Sequence, residues 1–391
     1  MKITALETMH ADGGGRAFDF LKLSTDEGLV GWSEYNEGFG GLGVTQVIER
    51  LAPVLIGKDP RAIEAHVALM QALRRVAAGG VNQQAIGAIE NALVDVKAKA
   101  LGIPVYELLG GPVRDTIRLY WSHCGSYRVG PRATALQAKP VESLDDIVAL
   151  GKEVVASGFT GLKTNVILFD DTPRGHVPGF ARGEGFPELN PDRKVVDAIR
   201  AQLAAFREGT GPDIDILVDL NYNYKTEGYL KMARAMEEFD LFWVELDMRN
   251  ARAMRYIREG TKIPVASCET LYTRREFIPF FEAGSVDTAI VDVPYNGILE
   301  SMKIAAMADA YDVNVAPHNF YSPLASTISS HFAATVPNLR IMEIDNDVVP
   351  WYHDLVTVTP KIENGHLKLG SGPGWGTEVN EDVVRAHPAR G

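Results

Sequence analysis

Two cysteines in 391 residues, Cys124 and Cys268, cannot build a disulfide framework, which excludes the stapled secreted scaffolds and fits a reducing compartment. Long hydrophobic runs are missing too. No stretch reaches the roughly eighteen uncharged apolar residues of a membrane span, and the start, Met1-Lys2-Ile3-Thr4-Ala5-Leu6-Glu7, lacks the apolar region of a signal peptide. Membrane and secretory roles are therefore not expected, and the chain reads as cytoplasmic. Clusters of Lys and Arg are absent from a protein of net charge -12, so no nucleic-acid surface is expected. The same acidity offers no long-range steering to an anion. If the substrate is a small carboxylic acid, its charge must be met locally, by a metal or by a few placed cations. Solenoid repeats and low-complexity tracts are absent as well.

What is present is an ordinary globular composition, 46% hydrophobic and 23% charged, with no segment polar enough to predict disorder. The length allows a capping domain plus a barrel. Residues 2 to about 35 read as strands with a turn at Asp26-Glu27-Gly28, and about 44 to 102 reads as helix, broken by Pro60 and Gly79-Gly80. From about 117 the pattern changes to short apolar strands alternating with helical segments, the signature of βα units. Candidate strands are 117–121, 159–164, 214–219, 241–245, 263–267, 287–291, 313–317 and 340–343. The expected fold is α/β: an α+β capping domain over residues 1–115, a TIM-type barrel of parallel strands over 116–362, and a tail, 363–391, returning to the first domain. Residues 167–190 are too long for a simple βα loop, and are either a solvated excursion or an active-site lid.

Three successive strand ends finish in a carboxylate: Val218-Asp219, Val244-Glu245 and Cys268-Glu269, 26 and 24 positions apart, about one βα unit each. Carboxylates converging at one end of a barrel repel unless a cation neutralises them, and hard oxygen ligands suit Mg²⁺, with Mn²⁺ the alternative. The next two ends carry Asp292 and His318. An Asp beside a His can accept its Nδ1 proton, fix the tautomer and leave Nε2 as a general base. Glu343, in the last strand, could donate to a developing enolate oxygen if protonated, or cap a helix. Lys163, at the end of the second strand, has reach to a bound anion.

The string Ala88-Ile89-Glu90-Asn91-Ala92-Leu93-Val94-Asp95-Val96-Lys97-Ala98-Lys99, with Gly102-Ile103-Pro104-Val105-Tyr106-Glu107-Leu108-Leu109-Gly110-Gly111, resembles the helix and Leu-Leu-Gly-Gly junction of the enolase superfamily, in its mandelate racemase/muconate lactonizing enzyme branch. The resemblance runs from Gly31-Trp32-Ser33-Glu34 to Gly372-Pro373-Gly374-Trp375-Gly376. It implies that Asp219, Glu245 and Glu269 are Mg²⁺ ligands, that Asp292 and His318 are the base dyad, that Glu343 is the acid of the last strand, and that Asn221 contacts substrate or metal-bound groups. It also implies that the capping domain supplies specificity through the loops at His10-Ala11-Asp12-Gly13-Gly14-Gly15 and Tyr35-Asn36-Glu37-Gly38-Phe39-Gly40, with His10 and Asn165 as substrate contacts.

The chain departs from the family pattern in three places. Lys-x-Lys reads Lys163-Thr164-Asn165, Glu-Glu-Pro reads Glu245-Leu246-Asp247, and the loop after the second strand is lengthened as in sugar-acid dehydratases. Asn165 cannot take a proton, so racemisation is disfavoured unless His123, Tyr127 or a loop residue supplies a second base. The expectation is a Mg²⁺-dependent dehydratase of a sugar acid, acting as a homo-oligomer. A lactone cycloisomerase or an epimerase on the same metal site is the nearest alternative, and a sugar-acid binding protein the non-enzymatic one.

Overall fold

The computed structural model describes residues 1–38, 41–183 and 186–389. Three strands open the chain, β1 (Ile3–Asp12), β2 (Ala17–Thr25) and β3 (Val30–Tyr35), paired as an antiparallel meander. The helix Gly80–Leu101 lies across them, its residues from Gln83 to Val96 buried on every face because the sheet covers one side and the barrel the other. Ser33 Oγ donates to the Ala88 carbonyl at 2.7 Å, and Ile298 N donates to Asn91 Oδ1 at 2.8 Å. Gly31 permits the close approach, since a Cβ there would stand 2.1 Å from the Ala92 carbonyl oxygen.

The barrel begins with β4 (Thr116–Ser122) and β5 (Gly161–Thr164), and the excursion after β5 carries a short hairpin, β6 (Ile167–Leu168) and β7 (Arg174–Gly175). It continues through β8 (Asp215–Asp219), β9 (Trp243–Glu245), β10 (Val265–Ser267), β11 (Thr288–Asp292), β12 (Asn314–His318) and β13 (Met342–Asp345). Neighbours are parallel throughout. β13 pairs with β4, and Val315 of β12 exchanges bonds with Asn338 and Arg340 just ahead of β13, which closes the ring. Each candidate strand window overlaps one of these strands. The last runs two residues further than expected, so Glu343 stands inside β13 and not at its end.

A long helix follows each barrel strand except β13, after which a hairpin of β14 (Lys361–Glu363) and β15 (His366–Lys368) pairs β15 antiparallel with β4. The chain then meets the capping domain. Trp375 N donates to Asp95 Oδ1 at 2.9 Å, its Nε1 to the Trp32 carbonyl at 2.8 Å, and Asp12 N to the His387 carbonyl at 2.8 Å.

Inside the ring, Tyr120, Leu217, Trp243, Ala266, Ile290, Ala316 and Ile341 form one packed apolar layer, a plug and not a pore. This layer is the floor of the site. Cutting Trp243 to Ala would cost about 3–5 kcal/mol and leave a void beneath it.

Candidate active site

Side chains alternate along a strand, so the residue two places beyond each floor residue faces the same interior. Tyr120 is followed by Ser122, Leu217 by Asp219, Trp243 by Glu245, Ile290 by Asp292, Ala316 by His318 and Ile341 by Glu343. On β5 the side chain that reaches the site is Lys163, whose register partner is Leu217 of the floor, and it rises from that level to the carboxylates. β10 breaks the rule. The position two beyond Ala266 is Cys268, which has φ +93, and this left-handed kink brings Glu269 into the ring. Register sets Asp219 directly beside Glu245 and Asp292 beside His318.

Lys163 Nζ lies 3.0 Å from Glu245 Oε2, 3.0 Å from Glu343 Oε1 and 3.9 Å from Asp219 Oδ2. Its side chain is 3% exposed, so these are desolvated ion pairs. Asp247, on the same strand exit as Glu245, adds a further buried carboxylate to the cluster. Burial, reinforced by Asp219 and Glu269 and opposed by Lys163, pushes the Glu245 carboxyl up to about 8. Burial, then Glu269, Asp219 and Glu245, raise Asp247 well above the usual carboxylate range.

Among the described residues no three such groups stand close enough to enclose an ion, since Lys163 draws Glu245 and Glu343 to itself. The donor chemistry nevertheless fits a hard divalent cation. Carboxylates crowd one buried space with too few cations among them, and Glu245 Oε1 and Asp247 Oδ2 are buried oxygens without hydrogen-bond partners.

The imidazole of His318 stands opposite. Its Nδ1 lies 2.6 Å from Asp292 Oδ2, an oxygen that also accepts from the Tyr321 hydroxyl, while Asp292 Oδ1 accepts from Tyr295 N at 2.7 Å. These bonds hold the Asp–His pair in one orientation and leave Nε2 facing the carboxylates, 3.5 Å from Glu269 Oε2 and 3.9 Å from Glu343 Oε2. Burial alone would lower the pKa of His318, but Glu269, Glu343 and Asp292 push it up to about 10. Glu269 is the largest of these raising charges, so any cation that neutralises it also returns the imidazole toward its basic form.

Glu343 accepts from Asn319 N at 2.8 Å and from the Ser122 hydroxyl. Burial would raise its pKa, yet Lys163 and His318 hold it well below the usual range. These surroundings favour the ionised carboxylate. It caps no helix.

Asn165 is held on the opposite side through its side chain and its carbonyl. Its Nδ2 donates to the Asp219 carbonyl at 3.3 Å and to Asn221 Oδ1 at 3.2 Å, its Oδ1 accepts from Ser126 Oγ at 2.8 Å, and its carbonyl accepts from Gln202 Nε2 at 2.9 Å. Asn221 in turn donates through its side chain to Asp219 Oδ2 at 2.9 Å and through its backbone to Asp219 Oδ1 at 2.7 Å. Both asparagines position Asp219.

His10 lies elsewhere. It stands within β1, with Nδ1 2.7 Å from Asp19 and its ring edge-on to Tyr35. Arg16, six residues later, is the side chain from this loop that reaches the barrel mouth: its Nη2 lies 2.7 Å from Asp345 Oδ2. In the second expected lid, Glu37 accepts from Gly43 N at 2.6 Å and from Thr45 N at 2.7 Å, capping the helix Val44–Leu51, while Phe39 and Gly40 lie outside the described residues. The excursion after β5 docks on the exit of β8, where Gly179 N donates to Asn223 Oδ1 at 3.0 Å and Asn223 Nδ2 to the His176 carbonyl at 3.1 Å. Its Glu184 and Gly185 also lie outside the described residues.

Sequence reasoning missed several groups. Tyr321 and Tyr295 brace the dyad, Asp247 enlarges the carboxylate cluster, and Asp345 pairs with both Arg16 and His123. Glu34 of β3 accepts from Ser322 N at 2.9 Å, from the Ser322 hydroxyl and from Ala325 N at 3.1 Å, so the carboxyl group of a capping-domain residue caps the barrel helix that follows His318. Asp247 and Asp345 carried a usable signal, each lying two residues past an acid already singled out.

Residues 3–110 match the mandelate racemase/muconate lactonizing enzyme N-terminal domain, and residues 146–383 match the enolase C-terminal domain-like family. The chain is 30% identical to a D-xylonate dehydratase of Haloferax volcanii, covering 100% of this chain and 90% of that protein. It is 32% identical to a D-galactonate dehydratase of Xanthomonas campestris pv. campestris, covering 98% and 94%. A Burkholderia xenovorans strain LB400 protein with the provisional name L-alanine-DL-glutamate epimerase, solved bound to magnesium and fumarate, is 49% identical with a TM-score of 0.95, covering 100% of this chain and 96% of that one. With both domain models matched in order and relatives aligned from end to end, the chain belongs to the enolase superfamily, in its mandelate racemase/muconate lactonizing enzyme family.

Proposed function

We propose that this chain is a divalent-metal-dependent dehydratase of a sugar acid, an aldonate or an aldarate, yielding a 2-keto-3-deoxy acid. The observation that carries this is an asymmetry. A braced base, His318 on Asp292, faces one side of the carboxylate cluster, while the other side presents Asn165, locked into bonds with Asp219, Asn221, Ser126 and Gln202. One base suffices for elimination, because the imidazolium formed at C2 can hand the same proton to the departing 3-hydroxyl.

Asp219, Glu245 and Glu269 would hold Mg²⁺ or Mn²⁺. Such an ion supplies the positive charge that stabilises the carboxylate as the C2 proton leaves. His318 Nε2 takes that proton, with Asp292 and Tyr321 keeping Nδ1 protonated and the ring oriented. The electron pair of the C2–H bond moves toward the carboxylate and then forms the C2–C3 double bond as C3–O breaks. His318 returns its proton to the leaving oxygen, water departs, and the enol ketonises. Lys163 places positive charge where the substrate carboxylate lies, and Glu343, ionised and held by Ser122 and Asn319, keeps Lys163 charged.

The test is a panel of mono- and diacid sugars with Mg²⁺ or with EDTA, read by semicarbazide trapping of the 2-keto product. Turnover that EDTA abolishes is expected; no turnover of any acid sugar, with or without metal, sinks the proposal. An epimerase is the second reading, favoured by the name of the Burkholderia neighbour. It needs a proton carrier on the Asn165 side, and yields a C2 epimer without a new keto group. We take the protein to be a cytoplasmic homo-oligomer, and sedimentation velocity tests the oligomer.

A further inference from the structure

Beside the proton-transfer groups lies a cationic wall that the elimination does not use. Arg16, from the loop between β1 and β2, donates through Nη2 to Asp345 Oδ2 at 2.7 Å and through Nη1 to the Tyr127 hydroxyl at 2.8 Å. Among the described residues its Nε is buried without a partner, and the side chain is 8% exposed. The Arg132 guanidinium lies 3.4 Å from the Tyr127 ring centroid, and its Nε is likewise buried without a partner. His123 stacks on the same ring at 4.0 Å with Nδ1 2.8 Å from Asp345 Oδ1.

The charges do not balance. Asp345 is the carboxylate within ion-pair distance of Arg16 and His123, while Lys163 is shared by Glu245 and Glu343 and Arg128 by Glu153 and Asp347. Among the described residues the two guanidiniums of Arg16 and Arg132 thus have one carboxylate, Asp345, beside them, in a protein of net charge -12. Burial lowers the pKa of Arg132, as expected for a desolvated guanidinium short of an anion. Unpaired buried cations are costly, and Arg is the side chain best shaped to bind a carboxylate through two parallel N–H groups.

The wall is also within substrate reach. A single ring, Phe320, separates it from the base: its centroid is 4.9 Å from that of His318 and 5.1 Å from the Arg16 guanidinium carbon.

We infer that Arg16 and Arg132, with His123, bind a second carboxylate of the substrate, so that the sugar acid is a dicarboxylic aldarate and not an aldonate. This rests on the sugar-acid dehydratase proposed above, and the experiment separates the two. The Mg²⁺-loaded enzyme is assayed on galactarate against galactonate and on glucarate against gluconate. Binding of the inert diacid succinate, against butyrate, is measured by calorimetry without turnover. A diacid should exceed its matched monoacid in kcat/KM by about 30-fold or more, the scale of a buried Arg–carboxylate pair. Arg132→Gln should remove that advantage mainly through KM, and should weaken succinate binding by a similar factor. Arg132 is chosen because Arg16 also anchors Asp345, and Arg16→Gln is at risk of unfolding. Monoacids turned over as well as diacids would overturn the inference and spare the dehydratase. Succinate binding unmoved by Arg132→Gln would overturn it also. Succinate binding lost in Arg132→Gln, with no acid sugar turned over, would support the carboxylate subsite and sink the dehydratase.

Discussion

Asp292→Asn exchanges one carboxylate oxygen for an amide nitrogen with almost no change of shape, at a side chain that accepts three hydrogen bonds. Oδ2 receives His318 Nδ1 and the Tyr321 hydroxyl, and Oδ1 receives Tyr295 N. The amide satisfies only part of this set. With its NH₂ toward His318 it donates to Nδ1, drives the ring proton to Nε2 and removes the lone pair that takes the C2 proton. With its NH₂ toward Tyr295 it sets two donors against each other at a residue with no solvent exposure, an unsatisfied group worth about 1–3 kcal/mol. Loss of the correct tautomer in a His–Asp pair costs on the order of 10³–10⁴ in kcat. We therefore expect kcat to fall about 10³-fold, with the Mg²⁺ affinity from calorimetry within about threefold of wild type. The direction of the pH profile is also fixed. The Asp292 charge helps to raise the His318 pKa, and catalysis needs the neutral ring, so the rising limb of the residual activity moves to lower pH. A kcat within about tenfold of wild type and an unmoved limb would show that something other than Asp292 sets the base.

Lys163→Met leaves Glu245 and Glu343 without their shared cation, a loss of about 3–5 kcal/mol in the metal-free protein. Its melting temperature should fall in EDTA and recover with Mg²⁺ by more than the wild type gains; an equal gain in both would refute the charge balance described here. For the wild type itself, Mg²⁺ at 100 times its Kd should stabilise by about 2.7 kcal/mol over EDTA in scanning fluorimetry, and no shift would argue against a metal site. Glu34 and Glu90 are pushed from the ordinary 4.5 up to about 8, by burial first. Both groups hold their protons in the fold while the unfolded chain has lost them, so the contribution of these two groups to stability is fully present below about 4.5 and is lost as pH rises toward 8. Urea unfolding across that window should show the decline, and the double variant Glu34→Gln, Glu90→Gln should flatten it; an unchanged slope would mean other groups set it.

The carboxylate ladder was legible because three constraints coincide in the sequence. A βα unit has a nearly constant length, an interior face repeats every second residue, and a strand end lies just before its helix. These place Asp219, Glu245, Asp292 and His318 without any knowledge of contacts. Glu269 obeyed the spacing through a kink at Cys268 that no local pattern announces. Arg16 and Glu34 were not legible, because their partners Asp345 and Ser322 lie 329 and 288 positions away. His10 was misplaced for a related reason. It lies just ahead of the glycine-rich turn, but strand pairing with Asp19 continues through it, and the residue that leaves the sheet toward the barrel is Arg16.

The most direct test of a single-base elimination is proton NMR of a reactive sugar acid incubated with enzyme and Mg²⁺ in D₂O. The expected product is a 2-keto-3-deoxy acid carrying deuterium at C3 from ketonisation, with His318→Asn giving neither product nor exchange. Deuterium at C2 in a recovered epimer, with no keto acid formed, would contradict it.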